Sequence, residues 1–245
     1  MATSFEIDIA LSDATVAGLE ANNYQLYGFK GADGTGGVGV PVIWFASETF
    51  SNTNQLQWTE QYGAYTSLTT ALAPGVQITA SSSAQINLGQ QAAVAANGVV
   101  SVNNKGVAGI IEVLNTTNVP YSCGVSVVNP ATKKATPICA FPLFGKGLDT
   151  FIPIELVFLT FATAPVNTGT VIEQSFAPGI LIDMTGQVAP VALSFDLNNG
   201  WSGPGFTTNY PATTDLTGLL INPGDAQTKS RRAARRARAL AQIAA

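Results

Sequence analysis

The chain has 245 residues, 46% of them hydrophobic and only 11% charged, with 15 Asp and Glu against 11 Lys and Arg. This excludes a disordered polyelectrolyte, which combines low hydrophobicity with high charge, and leaves enough length for one domain with a substantial core. Without any histidine, Ser-His-Asp and Cys-His catalysis and the commonest metal ligand are lost, and two cysteines are too few for a zinc site.

Residues 5–11 alternate Phe5, Ile7, Ile9 and Leu11 with Glu6, Asp8 and Ala10, the pattern of a half-buried strand. Ser12 and Asp13 offer a cap for a short helix over 14–20, ended by Asn22 and Asn23. Residues 24–30 read as a second strand and 40–46 as a third, with Pro41 marking its start or an edge. Between them, Gly34-Thr35-Gly36-Gly37-Val38-Gly39 matches G-x-G-x-x-G. A dinucleotide site needs a helix immediately afterwards, and the strand-like Val40-Pro41-Val42-Ile43-Trp44-Phe45 follows instead, so a hairpin loop is predicted. Alternation resumes over 55–67. Further strands are predicted at 76–80, 84–88, 99–102, 109–114, 124–128, 137–143, 155–161, 170–174, 180–184, 191–197 and 219–222. Many short strands separated by Gly, Pro, Asn and Thr predict an all-β fold. The expected architecture is a two-sheet antiparallel sandwich over 1–222, a jelly roll being among its allowed topologies, with a basic helix in 223–245.

Cys123 and Cys139 flank the turn Asn129-Pro130-Ala131-Thr132-Lys133. Pairing Val128 with Lys134 would set the two cysteines opposite each other, although buried thiols are expected in a reducing compartment. Asn115-Thr116-Thr117 is a glycosylation sequon that reads as a turn. Residues 61–104 carry no charge, and Ile78, Ala80, Ser82, Ala84, Ile86 and Leu88 share one parity, as in a membrane-inserting hairpin or an ordinary antiparallel sheet. Trp201, Phe206 and Tyr210 sit in a Gly/Pro-rich loop, where they could stack on a ligand or plug the end of the fold. The start of the chain has neither a basic nor a long apolar signal region, which predicts cytosolic synthesis, with a virion or non-classical release as routes outward.

Charge is divided sharply. Residues 1–228 hold five lysines and fifteen acids, net −10, whereas 229–245 hold one lysine and five arginines, net +6. On a helix, Lys229, Arg231, Arg232, Arg235, Arg236 and Arg238 form a cationic array, with Ala234, Ala237 and Leu240 opposite the arginines. Arginine favours bidentate phosphate contacts and base stacking. Asp225-Ala226-Gln227-Thr228 followed by this Arg/Ala-rich run resembles the arginine-rich RNA-binding peptides of phage N-type antitermination proteins. That resemblance covers about twenty residues and implies a bent helix on a small RNA hairpin.

The acids of residues 1–200 are scattered singly, so the two-carboxylate chemistry of glycosidases finds no sequence pattern. The expected function is non-enzymatic and needs no cofactor or metal. A charge-poor β-body would form a homo-oligomer or bind a partner, in the manner of a shell or capsid protein, while the tail binds RNA or another polyanion. Two alternatives are a pore-forming β-protein that inserts 61–104 into a membrane and a lectin-like module with Trp201 at its mouth.

Overall fold

The computed structural model describes residues 3–34 and 39–221. The centre of the Gly-rich loop and the basic helix expected in 223–245, with all six of its cations, lie outside the described residues.

In chain order the strands begin with β1 (Ser4–Leu11), β2 (Gln25–Gly34), β3 (Val40–Pro41), β4 (Phe45–Ser47), β5 (Thr53–Thr59) and β6 (Tyr62–Ser67). Next come β7 (Ser82–Ile86), β8 (Gln91–Val94), β9 (Val100–Asn103), β10 (Ile111–Asn115), β11 (Tyr121–Val128) and β12 (Ala135–Pro137). The last are β13 (Cys139–Leu143), β14 (Leu148–Ala162), β15 (Gly179–Asp183), β16 (Val191–Asp196), β17 (Gly200–Ser202) and β18 (Thr207–Tyr210). Helix α1 (Asp13–Ala21) joins β1 to β2. The chain is therefore mostly β, but its strands form three sheets. One runs β17-β16-β1-β5, and a second β18-β15-β14-β10-β8-β9 with β2 on β14 and β4 on β2. The third runs β3-β13-β11-β6-β7 with β12 on β11. Pairing is antiparallel except between β1 and β16 and between β8 and β10. Alternation predicts that a strand has one buried face. It does not name the neighbour, so a third sheet and two parallel pairs were invisible to it.

The first helix forms where its capping residues place it. Ser12 has extended backbone, and its Oγ accepts the Thr15 N–H at 3.1 Å. Asp13 adds negative charge to the first turn. Asn23, at φ 53°, turns the chain left-handed and ends the helix, while Tyr24 N–H bonds the Leu19 carbonyl at 3.0 Å. Leu19 is the helix's anchor in the core.

Strand β14 is the spine of the body. Its stretch from Ile154 to Ala162, apolar except for Glu155 and Thr160, is buried throughout, as expected of a strand covered on both faces. It pairs with β10 near its start and with β2 and β15 further on. The register with β2 slips between Pro153 and Val157, because Pro153 lacks the N–H that would continue the ladder. Gly31 lies opposite the slip, where a Cβ would sit 3.2–3.3 Å from those of Leu156 and Ile154.

Beside this irregularity, Lys30 on β2 turns inward. Its Nζ lies 2.8 Å from Glu60 Oε1, with both side chains almost fully buried. Trp58 Nε1 donates to Glu60 Oε2 at 3.2 Å, and the Tyr62 hydroxyl to Oε1 at 2.7 Å. The ammonium also lies 6.0 Å from the Trp44 ring centroid and 5.7 Å from that of Trp58, within cation–π range. The two indoles meet edge to face at 5.2 Å.

Several segments differ from the sequence-based reading. Residues 76–80 and 170–174 make only isolated bridges, Gln77 with Thr170, Val42 with Val171 and Gln174 with Asp215. Residues 219–221 are not a strand; they belong to a π-helical turn, Thr217–Ile221, that buries Leu220 and Ile221. The third predicted strand breaks into β3 and β4, with Ile43 and Trp44 buried between them. The charge-free segment 61–104 is shared between two sheets, and β6 is buried at every position.

The cysteines do not face each other. Asn129 reorganises the turn: its Oδ1 accepts from Ala131 and Thr132 N–H, and its Nδ2 donates to the Trp44 carbonyl at 3.0 Å. Lys133 adopts φ 59°, so Val128 pairs with Ala135 rather than Lys134. A further slip near Ile138 sets Cys123 opposite Phe141. Both thiols are free and buried.

Removing one member of the buried ion pair leaves the other charged and dehydrated. Glu60→Gln or Lys30→Met is expected to destabilise the fold by about 3–5 kcal/mol, and the double variant by less than the two singles combined. Urea unfolding of the four-member cycle measures this.

Candidate functional site

A cleft of about 710 Å³ lies between two irregular segments, around 74–77 and 165–176. These are the stretches where regular strands were expected. They hold each other by exchange across the gap: Ile78 N–H to the Gly169 carbonyl, Val171 N–H to the Val76 carbonyl and Gly75 N–H to the Val171 carbonyl, each 2.9 Å. Gly169, at φ 82°, is required there, since a Cβ would fall 2.5 Å from the Ile78 carbonyl oxygen.

Pro74, Val166, Ile172 and Phe176 make the apolar lining, and Gln77, Asn167, Gln174 and Glu173 the polar one. Tyr27 supports one wall. Its hydroxyl meets Gln25 Oε1 and the Ala164 carbonyl and accepts the Val166 N–H at 3.0 Å, and its ring meets Phe176 edge on at 5.9 Å. Burial pushes the Tyr27 phenol pKa up, partly opposed by the Val166 N–H. Glu173 is the single charged residue lining the cleft. An aromatic edge, amides and one carboxylate suit a neutral or cationic small ligand.

The aromatic trio of the Gly/Pro-rich loop lies elsewhere. That loop forms β17 and β18, two short strands that its glycines and prolines concealed. Trp201 is 5% exposed, stacked on Phe161 at 5.2 Å and 16° and in contact with Phe195 at 4.9 Å. Phe206 and Tyr210 are half-buried against the same core. The indole of Trp201 thus faces the interior. Asn115 of the sequon is wholly buried, and its amide donates to the Val119 and Phe144 carbonyls at 2.8 and 3.0 Å. It is the anchor of a turn.

Cys123 Sγ lies 3.3 Å from Asp149 Oδ2. Burial, and then the neighbouring Asp149 carboxylate, pushes the Cys123 thiol pKa well up, and burial raises Cys139 to about 12. Burial also raises Asp149, which the thiol hydrogen bond opposes. Such thiols are poor nucleophiles.

Among the described residues no group of three or more Cys, Asp or Glu could hold a metal ion. None of their helices is long and apolar enough to cross a membrane. Comparison with protein families, curated proteins and solved structures finds no match for this chain.

The cleft escaped the sequence reading because its two halves are about ninety residues apart and each has strand-like composition. The local signals were Pro74 and Pro165, which interrupt those segments, and Phe176, an aromatic outside any apolar period.

The raised thiol pKa values set a pH dependence. A group whose folded pKa exceeds its unfolded value stabilises the fold fully below the unfolded value, near 8.5 for cysteine, and loses that contribution as pH rises toward the folded one. Stability should therefore fall from about pH 8.5 toward pH 12, and less steeply in Cys139→Ala. Ellman's reagent should label neither thiol in native protein at pH 8 and both after unfolding.

Proposed function

We propose that the chain is a non-enzymatic, shell-type β-protein whose body associates with itself or a partner and whose Arg-rich C-terminal segment binds RNA or another polyanion. Charge segregation carries this reading: net −10 over residues 1–228 and net +6 over 229–245. Six cations within ten residues repel one another until a polyanion neutralises them, and counterion release from that polyanion drives binding. Lys229, Arg231, Arg232, Arg235, Arg236 and Arg238 are the contacting residues. In this reading the larger part of the body is a sandwich, with β13 lying against β2 and β11 against β14, so that the third sheet covers the second.

Deleting residues 225–245 should abolish RNA retention while leaving thermal unfolding of the body unchanged. For the full chain, five or six phosphate contacts to single-stranded RNA give a slope of log affinity against log salt of about −4. Fluorescence anisotropy with a labelled single strand measures both. A salt-independent affinity, or equal binding by the shortened chain, would overturn the reading.

A second reading, a small-ligand module in the lectin manner, is favoured by the 710 Å³ cleft rather than by Trp201. Phe176→Ala and Gln174→Ala should then weaken a ligand found by glycan or amine screening about tenfold, with the melting temperature of the free protein nearly unchanged.

A further inference from the structure

We propose that one end of the body is a membrane-contact surface, formed by four loops whose apolar tips enter the interfacial layer of a bilayer. Among the described residues, nine large hydrophobic side chains are exposed, and five of them lie at these loops: Leu68, Val99, Val119 and Phe144 within them and Leu148 at the first position of β14. Of these five, Leu68 and Phe144 protrude most, at 72% and 66% exposed. Single exposed apolar residues are normal on a soluble surface, whereas several gathered at one end mark an interaction site.

Their common location follows from the pairing. Ser67, at the end of β6, lies opposite Ser122 near the start of β11, and Ser122 Oγ donates to the Thr69 carbonyl at 2.7 Å. Thr66 Oγ1 reaches the Gly98 carbonyl at 2.7 Å, bringing in the turn that carries Val99. Asn115 binds the carbonyls of Val119 and Phe144, and its own N–H bonds the Gly147 carbonyl at 2.9 Å. Leu114 pairs with Leu148 across β10 and β14. These bonds tie all four loops to the same end and hold the tips in place, so little conformational freedom remains to be lost on docking.

Charge and shape select the partner. Residues 68–71, 95–99, 116–120 and 144–148 contain no acid and one cation, Lys146, in a chain that carries fifteen acids. Lys146 is exposed, with Nζ against the Thr116 carbonyl, and its ammonium offers a counter-charge to lipid phosphates. No carboxylate in these loops would have to be dehydrated or brought against those phosphates. Separate protruding tips need a matching pit for each on a protein partner, whereas a fluid lipid interface accommodates them without prior complementarity.

The test is flotation of the full chain with phosphatidylcholine vesicles at high salt, which screens the attraction between lipid and the Arg-rich segment. The double variant Leu68→Asp/Phe144→Asp should lower partitioning about tenfold or more. Val107→Asp/Val188→Asp alters exposed apolar positions outside the four loops and should leave it unchanged. A second measurement needs no charge insertion. An environment-sensitive label on Phe144→Cys should shift to the blue with vesicles, and the same label on Val188→Cys should not, the native thiols being buried. Failure of the unmodified chain to float, equal loss in both double variants, or equal shifts at the two labels would overturn the proposal. So would a discrete self-complex in sedimentation that the first double variant abolishes, since the loops would then form a protein interface.

Discussion

The buried pair of Lys30 and Glu60 is the constraint on which the arrangement of the three sheets depends. Lys30 belongs to β2 in the second sheet, and Glu60 lies where β5 of the first sheet passes to β6 of the third. A charge that cannot reach water must find its counter-charge, so each sheet has one position relative to the others that satisfies the pair. Two indoles and the Tyr62 hydroxyl complete the shell around it. Replacing the pair with apolar residues of similar volume could conserve stability, but it would remove the penalty against sliding one sheet over another. The charge-poor composition sharpens this point. A body with so few charged residues commits two of them to a single interior contact.

A second constraint acts through β14. Its fifteen residues outrun any single neighbour, so β10 and then β15 pair along one edge while β2 follows the other from Phe151 to Ala162. The slip after Pro153 puts Lys30 beside the irregularity that lets it turn inward. Where the ladders end, the chain resorts to side-chain bonds. Asn115 and Thr66, at or next to the ends of β10 and β6, and Asn129, just past β11, add side-chain contacts to carbonyls or turn N–H groups. The same logic generates the cleft: segments 74–77 and 165–176 satisfy their backbone groups in isolated bridges, which leaves a hollow that continuous strands would have closed.

The proposed functions divide along the charge. The acidic body has five lysines, one neutralised inside and the others on the surface, while the arginines are confined to residues 231–238. The three surfaces considered differ in the force they offer. The basic segment offers counterion release, the cleft shape and hydrogen bonds, and the loop tips apolar area. These differ in salt dependence, which makes them separable in one preparation.

Local chemistry was legible in the amino-acid order wherever a few neighbouring residues decide the outcome. The alternation of Phe5 to Leu11 makes a strand, Ser12 and Asp13 start the helix, Asn22 and Asn23 end it, and the mostly β character follows from turn residues at short spacing. The segregation of arginine is likewise a property of the sequence alone. Partnership was not legible, because period-two alternation records that a face is buried and not what buries it. Cys123 and Cys139 show this most simply: a hairpin sum placed them opposite each other, and the side chain of Asn129, together with a slip near Ile138, moved the register. Lys30 and Glu60 are thirty residues apart, and the walls of the cleft about ninety. Residues at such separations meet only when the whole chain has closed, so their contacts belong to tertiary structure: the entropy of closing those loops is recovered only by the packed core, not by any local segment.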